Sequence, residues 1–359
     1  MDNPFFDAPI LNSPYAYPAR HWELDATGQP TQVIKPSRRS ADFITPIPKP
    51  RKQKGAPQQD ALLFDADLST QAQQYHATII NGVRAEVDKW RAIPNPADWR
   101  VTPETARLLQ HWRHHAFGSI RPFFCQVDAV ETAIWLTEVA PQIGKNGERF
   151  LEHLAKANQD ANPELSRLAL KLATGAGKTS VMAMLIAWQT INAVRRPGSK
   201  KFTRGFLIVA PGITIKDRLR VLQPNDPDSY QSRELVPVDL LADLGKARIV
   251  ITNYHAFKRR ERLELSKGGR LLLQGRGGES LDTLETEGQM LQRVMPELMG
   301  LKNILAINDE AHHCYRERLG AAADEDLKGD DRKDDLPPTG VPTELRKSGV
   351  ARLIDLRSV

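Results

Sequence analysis

The run Thr174-Gly175-Ala176-Gly177-Lys178-Thr179-Ser180 joins two glycines to a lysine and two hydroxyls. Glycine lets a backbone turn tightly and bring its N–H groups against phosphate oxygens. A lysine at this spacing reaches the β- and γ-phosphates of a nucleotide, and the threonine hydroxyl completes a Mg2+ shell. A second cluster, Asp309-Glu310, follows the apolar run Asn303–Ile307. A carboxylate at the end of a buried strand is where a phosphate-binding site holds its Mg2+, and the next one can orient or deprotonate an attacking water. An isolated Asp-Glu pair is ordinarily solvated surface; its place after an apolar strand favours chemistry.

The elements that must position these groups are legible around them. Leu168, Leu170 and Leu172 alternate with Ala169, Lys171 and Ala173, the period of a strand. After the loop, Val181, Met182, Leu185, Trp188 and Ile191 recur at helical spacing up to Arg196-Pro197-Gly198. Strand, glycine loop and helix are the context that a phosphate-binding loop requires. The general pattern has a glycine where Leu172 stands, so a plain glycine turn before a surface Lys-Thr is the competing interpretation. Three more strands are expected, at Gly205–Ala210, Ala247–Thr252 and Asn303–Ile307, as continuous apolar runs separated by helical stretches. This pattern predicts an α/β fold with a doubly wound parallel sheet and a site at the carboxyl ends of its strands.

A chain of 359 residues holds one large domain with appendages, or two domains. The 50 Lys and Arg against 44 Asp and Glu permit a polyanionic partner without demanding one. Two distant cysteines, Cys125 and Cys314, form no metal-type spacing and make a reducing, cytoplasmic compartment the expectation. The N-terminus has no basic region followed by an apolar core, and the longest apolar run, Val181–Trp188, is too short to span a membrane.

Residues 1–60 contain ten of the 25 prolines and are expected to form an extended, disordered arm, with the aromatic piece Pro14–Trp22 docking on the rest. The basic patch Lys49–Lys54 is either a solvated tail or a DNA contact. Residues 61–118 are expected to be helical. Tyr75, Ile79, Val83, Val87 and Trp90 form one stripe, and Thr102-Pro103 starts a second helix carrying Leu108, Leu109 and Trp112. His111, His114 and His115 look like metal ligands only superficially, since no cysteine or carboxylate falls in step. Gln126 opens the next helix, where an amide can read both donor and acceptor on an adenine edge. Phe257–Gly278, basic and glycine-rich, is a phosphate-contacting or solvated insert, and the charge run Ala321–Pro338 is expected to be disordered within a loop at about 317–345.

Taken together, these motifs resemble the motor core of superfamily-two helicases and translocases of the DEAD/DEAH type. Ala173–Thr179 looks like motif I in the form lacking its first glycine, and Asp309-Glu310-Ala311-His312 spells the DEAH box. Ala210-Pro211-Gly212 is similar to motif Ia and Thr252-Asn253-Tyr254 to motif Ib, while Pro122-x-x-x-Gln126 resembles the glutamine motif. The wording of RPFFCQ, INDEAHHCYRE and the N-terminal ILNSPY and RHWEL stretches looks most like the restriction subunit of type III-like restriction enzymes. The resemblance implies a P-loop RecA-like domain over 119–359 that binds ATP and Mg2+. ATP would be held by Gln126, Thr174, Gly175, Ala176, Gly177, Lys178, Thr179 and Ser180, and the metal by Thr179 and Asp309. Lys178 and Glu310 would be catalytic, and His312 would couple hydrolysis to movement. Pro211, Gly212, Thr252, Asn253 and Tyr254 would meet the backbone of double-stranded DNA.

Val350–Leu356 reads like the strand that precedes motif III, and the sequence ends where that motif should stand. The expectation is therefore the N-terminal half of a motor, weakly active alone and lacking its second motor domain. Its partners would be a C-terminal motor and nuclease half and a methyltransferase subunit. A general helicase outside restriction, and a non-catalytic module that binds nucleotide and DNA, are the alternatives.

Overall fold

The computed structural model describes residues 4–25, 28–41, 77–161, 166–226, 228–230, 233–257, 260, 285–309 and 350–358. In chain order these form α1 (Pro4–Asp7), β1 (His21–Leu24), β2 (Pro30–Lys35), α2 (77–91), α3 (Pro103–His114), α4 (Phe124–Ile134) and α5 (Lys145–Ala161). There follow β3 (Ser166–Leu172), α6 (Lys178–Arg195), β4 (Gly205–Ala210), α7 (Ile213–Arg218), α8 (Leu241–Leu244), β5 (Arg248–Asn253), α9 (Glu287–Val294), β6 (Ile304–Asp309) and β7 (Val350–Ser358). The chain divides into two compact units, one of residues 1–101 and 121–151, the other of 102–120 and 152–359. The division thus falls inside the expected helical segment 61–118: α2 belongs to the first unit and α3 to the second. It also takes 121–151, expected with the motor, into the first unit.

In the first unit the N-terminal residues are more than an extended arm. β1 and β2 pair antiparallel, and buried Trp22 packs edge-on against Phe5 while its indole N–H donates to the Ala8 carbonyl. The Pro14–Trp22 piece docks through Tyr17, whose hydroxyl donates to Asp88 at 2.8 Å, and through Pro14, whose carbonyl accepts from the Phe124 N–H. These few aromatic anchors supply what a proline-rich segment otherwise lacks, apolar area to offset its ordering entropy. Residues 42–60 lie outside the described residues. Helix α4 buries Val127, Val130 and Ile134 and runs on into one π-helical turn, Trp135–Val139. An ionic network joins its polar side to α2: Arg91 bonds Asp128 and Glu131, each at 2.6 Å, and Arg38 bonds Asp128 at 2.6 Å.

The second unit is built on a five-stranded parallel sheet in the order β3-β7-β6-β4-β5. Every residue of β4 and β6 is buried, which explains their unbroken apolar runs: a strand covered on both faces has no solvent side to alternate with. Leu207 and Val209 of β4, with Ile304 and Ala306 of β6, pack under Met290, Leu291, Met295 and Leu298 of α9 and the turn after it. By the two-residue period, Phe206, Ile208, Leu305 and Ile307 fill the opposite face. The outer strand β3 alternates at its end, with Leu170 and Leu172 buried and Lys171 exposed.

Helix α6 is buried from Val181 through Asn192, polar residues included. The Asn192 amide donates to Thr105 Oγ1 of α3 and to the Trp188 carbonyl, and Gln189 accepts the Thr203 N–H, so each buried amide has work to do. Thr102 caps α3 as its sequence predicts, accepting the Thr105 N–H, with Pro103 in the first turn. The packing holds α6 rigidly behind the glycine loop.

Candidate nucleotide site at the carboxyl ends of the strands

The expected strand-loop-helix forms as read. β3 ends at Leu172, a turn closes with the Ala176 N–H on the Ala173 carbonyl at 3.1 Å, and α6 begins at Lys178. Gly175 at φ 79° and Gly177 at φ 76° are both left-handed, a conformation that costs an L-residue about 1–2 kcal/mol. A side-chain carbon at Gly175 would meet nothing within 4 Å, so the backbone angle is what asks for glycine there. Gly177 is the N-cap of α6 and brings no side chain to its first turn. The helix has 18 residues, and its partial positive charge is concentrated at this loop. Thr174 and Gly175 are exposed, while Ala176, Gly177, Lys178, Thr179 and Ser180 are half-buried along the loop and first turn.

Asp309 ends β6 at the same pole and is 8% exposed. One strand, β7, lies between β3 and β6, so their ends stand about 10 Å apart, twice the interstrand spacing. The residues suit Mg·ATP. A left-handed glycine cradle stands at the head of a long helix, with a hydroxyl and a desolvated carboxylate as hard oxygen donors. Glu310 and His312 lie outside the described residues.

The residues expected to meet DNA sit beside one another at this pole. Ala210 and Asn253 are paired across β4 and β5, so Pro211-Gly212 and the turn starting at Tyr254 leave adjacent strands at one level. Thr252 is buried, and the Asn253 side chain accepts the Ala256 N–H at 3.0 Å, which fixes that turn. Lys216, Arg218 and Arg220, exposed cations on α7 and the turn after it, lie directly beyond Gly212. Their signal was the basic spacing of IKDRLR.

Gln126 belongs to the other unit. It is buried at the start of α4, where its Oε1 accepts the Phe123 N–H at 2.9 Å, the backward half of a capping box. The histidines of α3 also have local work. His111 Nε2 meets the Glu234 carbonyl at 2.7 Å and His115 Nε2 its carboxylate at 3.0 Å, with the two rings stacked 4.3 Å apart.

A left-handed glycine loop at the head of a long helix, on a parallel sheet whose strand β6 ends in a buried aspartate, is the arrangement of a P-loop fold, and the family match adds a helicase-like ATP-binding region. The family model described as type III restriction enzyme, res subunit, matches residues 122–328, more than half of the chain, and the chain belongs to that family. No curated protein and no solved structure matches it. Among the described residues no helix is long and apolar enough to cross a membrane.

Proposed function

We propose that this chain carries the ATP-binding region of a DNA translocase serving a restriction system, built on a doubly wound RecA-like sheet in the second unit. The observation that carries this is the strand order. It sets the loop after β3 and Asp309 of β6 at one pole, with one strand between them. Bound Mg2+ would neutralise charge on the β- and γ-phosphates. The Lys178 ammonium would neutralise the γ-phosphate, the Thr179 hydroxyl and Asp309 carboxylate would hold the metal, and Thr174, Ala176 and Ser180 would complete the phosphate cradle. Glu310 takes the proton from the attacking water, and His312 couples the site to the DNA path.

Double-stranded DNA is the proposed track, gripped at its backbone by Pro211, Gly212 and Thr252–Tyr254, with Lys216, Arg218 and Arg220 adding phosphate contacts. A methyltransferase subunit and a cytoplasmic setting complete the proposal. The test pairs two variants in calorimetry and DNA-stimulated turnover. Asp309→Asn should lose the Mg2+-dependent part of ATP affinity, while Glu310→Gln should bind ATP normally and hydrolyse none. Normal Mg2+-dependent affinity in Asp309→Asn would end the assignment. DNA binding that ignores salt would remove the backbone-contact part of it.

A further inference from the structure

The second unit carries a cleft of about 810 Å3 at the amino ends of β4, β5 and β6, the pole opposite the glycine loop. The strands are six residues long, which separates the two poles by about 20 Å. The cleft is enclosed by the end of α6, the turn at 197–200, the lead into β4, Lys246 ahead of β5, and 301–303 ahead of β6. Its floor is tied together before any ligand arrives. Thr203 Oγ1 donates to the Asn303 carbonyl, and the Asn303 amide reaches the carbonyls of Lys200 and Phe202. Phe202 and Thr203 are buried, so the floor is partly apolar and fixed in shape.

Among the described residues four cations line the cleft, Lys200, Arg204, Lys246 and Lys302, and no acidic residue does. All four are exposed, and they arrive on three separate connections. The carboxylate beside them, Asp243, is shared between Lys246 at 3.1 Å and Arg195 at 2.7 Å. The carboxyl end of α6 faces the cleft with about half a negative charge, which one or two cations would satisfy. Arg195 in the last turn of α6 already stands there, and the four lining cations all come from outside the helix. They surround one concavity instead of following a line, which suits a compact anion better than a nucleic-acid backbone.

We propose that this cleft is a second anion site, for a compact multivalent phosphate such as inorganic triphosphate or the phosphate tail of a nucleotide. It is independent of the proposed function, because none of its residues belongs to the glycine loop or the acidic strand. The test uses the 359-residue chain and inorganic tripolyphosphate in calorimetry, with Lys178→Ala to silence the glycine loop. Binding should persist in Lys178→Ala. Adding Lys246→Ser and Lys302→Ser should weaken it by about tenfold or more, while Lys246→Arg and Lys302→Arg preserve it. ATP titrated into Lys178→Ala then separates the sources. Affinity equal to tripolyphosphate identifies the phosphate chain alone, and tighter binding identifies a nucleotide. Loss of all tripolyphosphate binding in Lys178→Ala, or no effect of the serine pair, would overturn the proposal. So would a serine pair that weakens only a DNA duplex.

Discussion

Leu172 and Asp309 stand on opposite sides of one strand: Leu172 is paired with Ser358 and Asp309 with Leu356. β7 is therefore the spacer that sets the width between the glycine loop and the acidic strand. It is drawn from the last residues of the sequence, and β3 and β6 make no ladder with each other. The width of the candidate site consequently depends on the backbone pairing of β7.

The spacer can be broken directly. Ile354 is buried in β7 and pairs with Leu168 on one side and Ile307 on the other. Ile354→Pro removes a ladder donor from a central strand, where proline is not accommodated. The expected result is destabilisation by about 1–3 kcal/mol or more from the orphaned ladder carbonyl, with ATP affinity lost in proportion. Wild-type ATP affinity in a folded Ile354→Pro protein would show that β7 does not set the site.

Gly177→Ala tests the loop itself. At φ 76° alanine is strained by about 1–2 kcal/mol, so urea unfolding should register a loss of that order, with weaker ATP binding. Lys178→Ala has no such backbone penalty. It should abolish ATP binding in calorimetry while leaving the unfolding midpoint nearly unchanged. A large stability loss in Lys178→Ala would make this lysine structural.

The strands and the glycine loop were legible because their signals are local. The run Gly205–Ala210 matches β4 residue for residue, and the expected strands at 247–252 and 303–307 fall within two residues of β5 and β6. Their order was not legible. Nothing in VARLIDL says that it slots between β3 and β6, because parallel pairing joins residues more than 180 apart in sequence through contacts no local pattern records. The grouping of α3 with the sheet was hidden for the same reason: it depends on Asn192 reaching Thr105 and on Trp112 donating to the Leu235 carbonyl. Gln126 shows the opposite limit. Its residue type suggested adenine, while the capping bond to Phe123 is a matter of helix geometry.

The ion pair of Arg91 and Glu131 should be costly to break and cheap to replace. Glu131 has no solvent exposure, and the carboxylates around Arg91, Glu131 first, hold its guanidinium pKa above the usual value against the cost of burial. Arg91→Met leaves that carboxylate without its guanidinium, which should cost about 3–5 kcal/mol. Arg38 still serves Asp128, so the penalty falls mainly on Glu131. Arg91→Met combined with Glu131→Met should recover most of it in denaturant titration. A single variant within about 0.5 kcal/mol of wild type would mean that water reaches Glu131 freely.

Acid should loosen the contact between α3 and the 233–236 segment in two stages. Burial, reinforced by the neighbouring His115, holds the His111 pKa below its usual value against the pull of the Glu234 carbonyl. The unfolded chain therefore takes up this proton first, and the stability that neutral His111 contributes is complete above about pH 6.5 and lost as pH falls through its lower folded value. Glu234 shifts in the same direction: the Gly118 N–H, then the His115 side chain, hold its carboxyl below the usual range. Its contribution is present above the ordinary carboxylate pKa and disappears as pH falls through the depressed one. Glu234 also sits at φ 52°, a left-handed angle that its hydrogen bonds to Gly118, His111 and His115 help to hold. Melting temperature followed from neutral pH downward should fall first near the histidine range and again in the carboxylate range. His111→Gln should flatten the first step and Glu234→Gln the second. Identical pH profiles in both variants and wild type would show that this cluster carries no part of the acid sensitivity.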